Sequence, residues 1–218
     1  MKKYKGIIFD LDGTLLNTIA DLSDSVNAVL DEYDYPGFTY DQYKLKIGKG
    51  FRNLLENSFP EGLWDDKLID EALEKFLSIY DKNYMNKTAP YEGIDRMLDE
   101  LAARNIQVGV NSNKRTDYTN DLIHKFFCRI PFVEIFGERE GIPKKPDPAA
   151  ALEIAGLMGL KPEEVLYIGD SKTDMVTGKN AGMDTVGVLW GFRDFKELSE
   201  NGATYIAGTV QDILDIVK

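Results

Sequence analysis

The sequence predicts an α/β fold, and three observations carry that expectation. Short apolar runs, among them Gly6-Ile7-Ile8-Phe9, Val165-Leu166-Tyr167-Ile168 and Thr185-Val186-Gly187-Val188-Leu189, have the length and character of buried strands. After Pro90 such runs alternate with amphipathic helical stretches, which implies parallel strands with covering helices. The 218 residues are 43% hydrophobic and 29% charged, a globular composition long enough for one well-cored domain carrying an insertion. The expected architecture is a Rossmann-like parallel sheet core with helices on both faces, formed by residues 1–16 and 88–218. An all-helical insertion over 17–87 interrupts it.

The elements follow in order. The first strand ends at Phe9. From Thr18 to about Lys87 no buried-strand signal appears. Ile19, Leu22, Val26, Val29 and Leu30 recur at helical spacing, Phe51-Arg52-Asn53-Leu54-Leu55 begins a second helix after Gly48 and Gly50, and Leu68, Ile69, Leu73, Phe76, Leu77 and Tyr80 make a third apolar stripe. Beyond Pro90, Ile94, Met97, Leu98 and Leu101 suit a helix, and Ile106 to Val110 suits a strand ending at Asn111. A helix containing Leu122, Ile123, Phe126 and Phe127, a strand near Phe132 to Phe136 and a helix from Ala149 to Met158 come next. The strands at 165–168, 185–189 and, weakly, 204–206 precede a closing helix at Val210 to Val217.

Composition narrows the functions. A net charge of −11 argues against a nucleic-acid backbone or an anionic membrane as main partner. The single cysteine, Cys128, rules out an internal disulfide, and the single histidine, His124, rules out a multi-histidine metal site. Both are expected to be structural, on or near an apolar helix. The basic start Met1-Lys2-Lys3-Tyr4-Lys5 resembles that of a signal peptide, but only four apolar residues follow before Asp10. A cytoplasmic location is the default expectation.

The chemistry is expected where strands end. In an extended chain Asp10 and Asp12 leave the backbone on the same side, and two acids crowded there repel each other unless a cation or a function keeps them. A strand followed by an Asp-Gly turn would need only one acid. Asn111-Ser112-Asn113-Lys114 follows a second strand, and Gly169-Asp170-Ser171-Lys172-Thr173-Asp174 follows a third. Ligands of open parallel sheets bind at such carboxyl ends. Asp170 alone would read as a helix cap, but with Asp10 and Asp12 at equivalent places a shared oxygen-ligand cation is the better reading. Magnesium is preferred, because it takes few carboxylates plus waters and phosphate. The expectation is half of a magnesium-dependent phosphoryl-transfer site at Asp10 and Asp12, with Ser112 and a lysine among the phosphate contacts.

Asp10-Leu11-Asp12-Gly13-Thr14-Leu15, the strand ending in Ser112-Asn113-Lys114, Lys145-Pro146-Asp147-Pro148 and Gly169-Asp170-Ser171-Lys172-Thr173-Asp174 resemble the four ordered motifs of haloacid dehalogenase-like hydrolases. Within that superfamily the chain is similar to the phosphoglycolate phosphatase group, as is Trp190-Gly191-Phe192. The resemblance covers essentially the whole chain, and it implies that the helical insertion is a mobile cap. It implies Asp10 as nucleophile forming an aspartyl-phosphate, and Asp12 as the residue that protonates the leaving alcohol and then deprotonates water. Magnesium would be held by Asp10, the Asp12 carbonyl and Asp170, with Asp174 a further ligand or an outer partner. Ser112 and Lys145 would steady the transferring group and Asn113 would contact substrate. Asn17-Thr18 stands where the group commonly has Asp-Ser, and Ser112 where threonine is common.

A small phosphorylated metabolite is the implied partner. Residues 17–88 hold 14 acidic and 8 basic side chains, yet Lys44, Lys46, Lys49 and Arg52 fall in one stretch without an acid. That stretch is either a solvated turn or a loop in which Lys49 and Arg52 read a second anionic group. Gly169-Asp170 with Asp174 favours hydrolysis over a phosphosugar mutase, whose relatives typically have Glu-Asp there. A dehalogenase leaves Asp12 without purpose, and a phosphoacceptor receiver would carry its acid after a later strand. A pyrophosphatase of the same superfamily and a non-catalytic regulatory relative are the remaining alternatives.

Overall fold

The computed structural model describes residues 4–218, so the basic start at Met1-Lys2-Lys3 lies outside the described residues. Two compact units emerge. One comprises the chain as far as Leu16 together with Pro90–Lys218, and the other is Asn17–Ala89. Leu16–Asn17 (β2) and Ala89–Pro90 (β3), two residues each, form a small sheet of their own at the points where the chain passes from one unit to the other.

The first unit is built on a six-stranded parallel sheet. Its strands are Gly6–Phe9 (β1), Gln107–Arg115 (β4), Phe132–Glu138 (β5), Val165–Gly169 (β6), Asp184–Val188 (β7) and Tyr205–Ala207 (β8). Their spatial order is β5-β4-β1-β6-β7-β8. β1 lies centrally, with Ile8 opposite Gly109 on one side and Tyr167 on the other. The unbroken apolar run of β1 follows from that position, since both faces are covered: Ile7, Ile8 and Phe9 are wholly buried. Each such side chain contributes about 1.5–3 kcal/mol by leaving water.

The helices of this unit are Ile94–Ala103 (α5), Thr116–Phe127 (α6), Ala149–Leu157 (α7), Lys172–Asn180 (α8), Phe195–Glu200 (α9) and Val210–Ile216 (α10). The chain steps from β1 to β4 and β5 in one direction, then crosses to β6 and continues the other way. Right-handed crossovers therefore place α5 and α6 on one face and α7, α8 and α9 on the other. The α7 face is a core of Ile8, Ala151, Ile154, Ala155, Val165 and Tyr167. The reversal of direction beside β1 creates the switch point, and the carboxyl ends of β1, β4 and β6 converge there.

The second unit holds Ile19–Glu32 (α1), Tyr40–Lys44 (α2), Phe51–Glu56 (α3) and Asp66–Asn83 (α4). Helix α4 packs on α1 and α3. Its core includes an aromatic cluster in which Phe51 lies 5.0 Å from Phe76 and 5.3 Å from Tyr80, ring centre to ring centre. The buried Asp21 carboxylate accepts hydrogen bonds from the Lys87 N–H at 3.0 Å and the Thr88 N–H at 2.8 Å. The start of the insertion is thereby fastened to its end.

Two expectations need correction, and two short helices had none. β4 runs to Arg115 rather than stopping at Asn111, because the polar residues Asn111 to Lys114 are themselves buried. The short helices α2 and α9 escaped the periodicity, being only five and six residues long. His124 and Cys128 belong to the outer side of α6 and its end, where both are exposed.

Candidate active site

Each acid is placed by backbone before any side chain acts. Asp10 directly follows β1 and its N–H donates to the Ile168 carbonyl at 2.9 Å, so the sheet ladder fixes its main chain. The next residues turn tightly, with the Leu11 carbonyl accepting from Leu15 and Leu16 and the Gly13 N–H donating to Leu16. Gly13 takes φ of +88°, and a Cβ there would stand 2.3 Å from Asp170 Oδ2. Only glycine meets both demands.

Asp170 follows β6 and receives the Phe192 N–H on Oδ2 at 2.6 Å. That donor comes from the loop after β7, where Trp190 Nε1 also donates to the Thr14 carbonyl at 3.0 Å. A Cβ on Gly191 would lie 2.3 Å from the Asp170 Cβ and 2.5 Å from the Gly13 carbonyl oxygen. The Trp190-Gly191-Phe192 loop is thus a clamp across the ends of β1 and β6.

Carboxylate oxygens of Asp10, Asp170 and Asp174 all lie within 4.8 Å of one another, and all three residues are buried. Burial, then the Asp174 and Asp10 charges, raise Asp170 well above the ordinary carboxylate range. Burial and then Asp174 push Asp10 up to about 7, against the opposing pull of Lys145. Lys145 Nζ stands 2.8 Å from Asp10 Oδ1 and 2.7 Å from Asp174 Oδ1. Burial alone would lower the ammonium's pKa, but the two carboxylates raise it well above its usual value. The second lysine, Lys114, is buried with its Nζ 3.1 Å from Asp12 Oδ1. Four carboxyl groups face only two ammoniums, an excess of acid that suits a divalent cation, and an all-oxygen donor set suits a hard one.

The expected site residues now divide. Asp10, Asp12, Ser112, Lys145, Asp170 and Asp174 come together at the strand ends. The Asp12 carboxylate is outside the acid triad, in keeping with a part played through its carbonyl. Asp174 is the most enclosed: Oδ1 accepts from Lys145, and Oδ2 accepts from the Ser171 N–H at 3.1 Å and hydroxyl at 2.6 Å. Both of its oxygens are thus engaged by Lys145 and Ser171. Ser112 is buried and its Oγ accepts from the Lys114 N–H at 3.2 Å.

Two residues expected at substrate are occupied elsewhere. The Asn113 amide is committed to the Lys145 main chain, with Oδ1 accepting from Lys145 N–H at 2.9 Å and Nδ2 donating to the Lys145 carbonyl at 3.2 Å. It holds Lys145 in place. Arg52 is held by Glu56 of its own helix and by Asp66 and Asp70 of α4. It braces α3 on α4 within the insertion. Lys49 is exposed on the loop before α3.

Sequence reasoning missed the Phe192 N–H, the buried Lys114 and Tyr167. The Tyr167 hydroxyl accepts from Asn111 Nδ2 at 3.1 Å and sits close enough to Lys145, Asp174 and Asp10 for their charges to act on it.

The family profile of haloacid dehalogenase-like hydrolases matches residues 7–188. The chain belongs to that family. Among proteins of the family, a phosphoglycolate phosphatase of Psychrobacter arcticus is 32% identical over 206 residues, covering 90% of each chain. A phosphoglycolate phosphatase of Pasteurella multocida is 29% identical over the full length of both. A crystal structure from Lactobacillus delbrueckii subsp. bulgaricus, provisionally named a phosphoglycolate phosphatase, superposes with a TM-score of 0.92 at 30% identity, covering 99% of this chain and 98% of that one. No helix among the described residues is long and apolar enough to cross a membrane.

Proposed function

We propose that this phosphatase of the haloacid dehalogenase-like family hydrolyses a small, phosphoglycolate-like phosphate monoester with magnesium, through an aspartyl-phosphate on Asp10. The observation that carries the reading is Asp10 itself. One carboxylate belongs to the acid triad, touches Lys145, and stands two residues from a second acid with its own lysine.

Asp10, Asp170 and the Asp12 carbonyl would hold the cation, with Asp174 behind them. When bound, magnesium offsets the repulsion between the acid triad and an incoming phosphate. The protein's own groups do the rest. An Asp10 oxygen bonds to phosphorus as the bond from phosphorus to the ester oxygen breaks, and that oxygen takes a proton from the Asp12 carboxyl group. A water then returns a proton to Asp12 and bonds to phosphorus, the bond to Asp10 breaks, and inorganic phosphate leaves with both acids restored. An ammonium has three donors. Asp10 and Asp174 take two from Lys145, and the third is left for a phosphoryl oxygen alongside the Ser112 hydroxyl.

The substrate class draws its support from the names of the relatives and their coverage of the whole chain. A second anionic group is assigned to Lys49, since Arg52 is taken up by three carboxylates. The insertion serves as the cap of the family and the location is cytoplasmic in this reading. The deciding experiment is a panel of phosphate monoesters including phosphoglycolate, assayed with magnesium. Wild type should release phosphate and Asp10→Asn should lose at least about a thousandfold in kcat. Absence of magnesium-dependent release from every ester would point to a regulatory relative instead.

A further inference from the structure

Lys114 makes and breaks no bond in the phosphoryl transfer, yet it is built with care. Its side chain is 1% exposed, which a lysine reaches only when it is paired. Its backbone is pinned at the end of β4: the N–H donates to Ser112 Oγ, and the carbonyl accepts from Thr119 Oγ1 at 3.3 Å. A Cβ on Gly137 of β5 would come within 2.5 Å of that carbonyl, so the neighbouring strand closes directly on it. A rigid strand therefore delivers an ammonium to Asp12 Oδ1 at 3.1 Å, while Lys145 serves Asp10 and Asp174. Asp12 Oδ1 is buried and receives no aligned hydrogen bond.

We infer that Lys114 is the positioning residue for Asp12, fixing its carboxylate where it exchanges a proton with the leaving oxygen, an inference that rests on Asp12 being the proton carrier. The two lysines then divide the labour: one steadies the nucleophile and the phosphoryl group, the other aims the proton.

The test uses esters whose leaving groups differ in their need for a proton and which carry no second anion. The value of kcat/KM covers the steps up to departure of the leaving group, so it isolates the protonation event. In Lys114→Met, kcat/KM for ethyl phosphate should fall by about 10–100-fold, within the range of general acid catalysis, while that for p-nitrophenyl phosphate stays within about threefold. Lys114→Arg should restore the ethyl ester, because the charge returns. In an Asp12→Asn background the Lys114→Met change should cost nothing more. Equal losses on both esters would overturn the inference in favour of a structural role. With phosphoglycolate assayed beside them, a loss confined to that ester would overturn it in favour of carboxylate recognition. Lys114→Gln, which removes the charge but keeps a polar side chain, takes the place of Lys114→Met if the latter does not fold. Asp12→Asn separates the two levels. Selective loss of the ethyl ester there, with none in the Lys114 variants, removes only the role of Lys114. No selectivity in Asp12→Asn removes the proton-carrier reading, and the inference with it.

Discussion

Asn113 and Arg52 show how far a side chain's partners decide its work. Both were expected to meet substrate, and both spend their polar groups inside the protein. For Asn113 the consequence is positional: without its amide, the Lys145 N–H and carbonyl lose their partners in a buried place. Leaving such groups unpaired costs roughly 1–3 kcal/mol. Asn113→Ala is expected to lower kcat about tenfold with KM little changed, which steady-state kinetics would show, and to lower the urea midpoint. Arg52→Ala should leave KM for phosphoglycolate within about twofold, because three carboxylates rather than substrate hold the guanidinium. A clear rise in KM would return Arg52 to the substrate. Sequence could bring these residues to attention but not assign them. The four motif acids were legible because carboxylates crowd together at strand ends only where a cation or a reaction offsets their repulsion. Lys114 was not, because a lysine's default is water, and its burial against Asp12 joins residues far apart in sequence.

At the scale of elements, the loop Trp190 to Phe192 does more for the site than its length suggests. It supplies the N–H that orients Asp170, ties Trp190 to the Thr14 carbonyl, and admits no Cβ at its centre. Gly191→Ala must therefore push the loop away from Asp170. The expected result is a destabilisation of about 1–3 kcal/mol, as for other forced overpacking, with magnesium affinity falling more than substrate affinity. Denaturant unfolding and a magnesium titration of activity measure the two parts. The long elements were readable from periodicity: the buried strands as apolar runs, α1, α4 and α5 as stripes. The end of β4 was misread because Asn-Ser-Asn-Lys looks like a loop, and polar residues lie inside a strand only where a site demands it. Helix α2 had its own signal in Thr39 and Gln42, whose side chain accepts from the Thr39 N–H at 2.8 Å, but five residues give no stripe.

For the molecule as a whole, the acid cluster makes stability depend on pH and metal together. Asp10, pushed up to about 7, and Asp170, also raised, hold protons in the folded chain that an unfolded chain would release at ordinary carboxylate pH. Their contribution is therefore fully present below about pH 4 and is lost as pH rises through about 7. The chelator-treated protein should melt lower at pH 8 than at pH 6. At this chain length each kilocalorie corresponds to about 2–4 °C. Magnesium should erase the difference, because it stabilises the ionised acids. Asp170→Asn should raise the melting temperature of the chelator-treated protein at pH 8 and abolish the response to magnesium. A pH-independent melting temperature without metal would contradict repulsion among the buried acids. Texture alone suggested an insertion over 17–87, since strand signals vanish there, and the compact units divide at Asn17 and Ala89; the electrostatic coupling needed the distances.

The Asp21 latch has a consequence of another kind. Its carboxylate grips the Lys87 and Thr88 N–H groups, so the insertion's two ends are bound to each other by the insertion's own residues. A segment closed in this way is a transferable cassette. Exchange of residues 17–89 for a relative's segment would leave the strand-end acids, all of which lie outside it, unchanged.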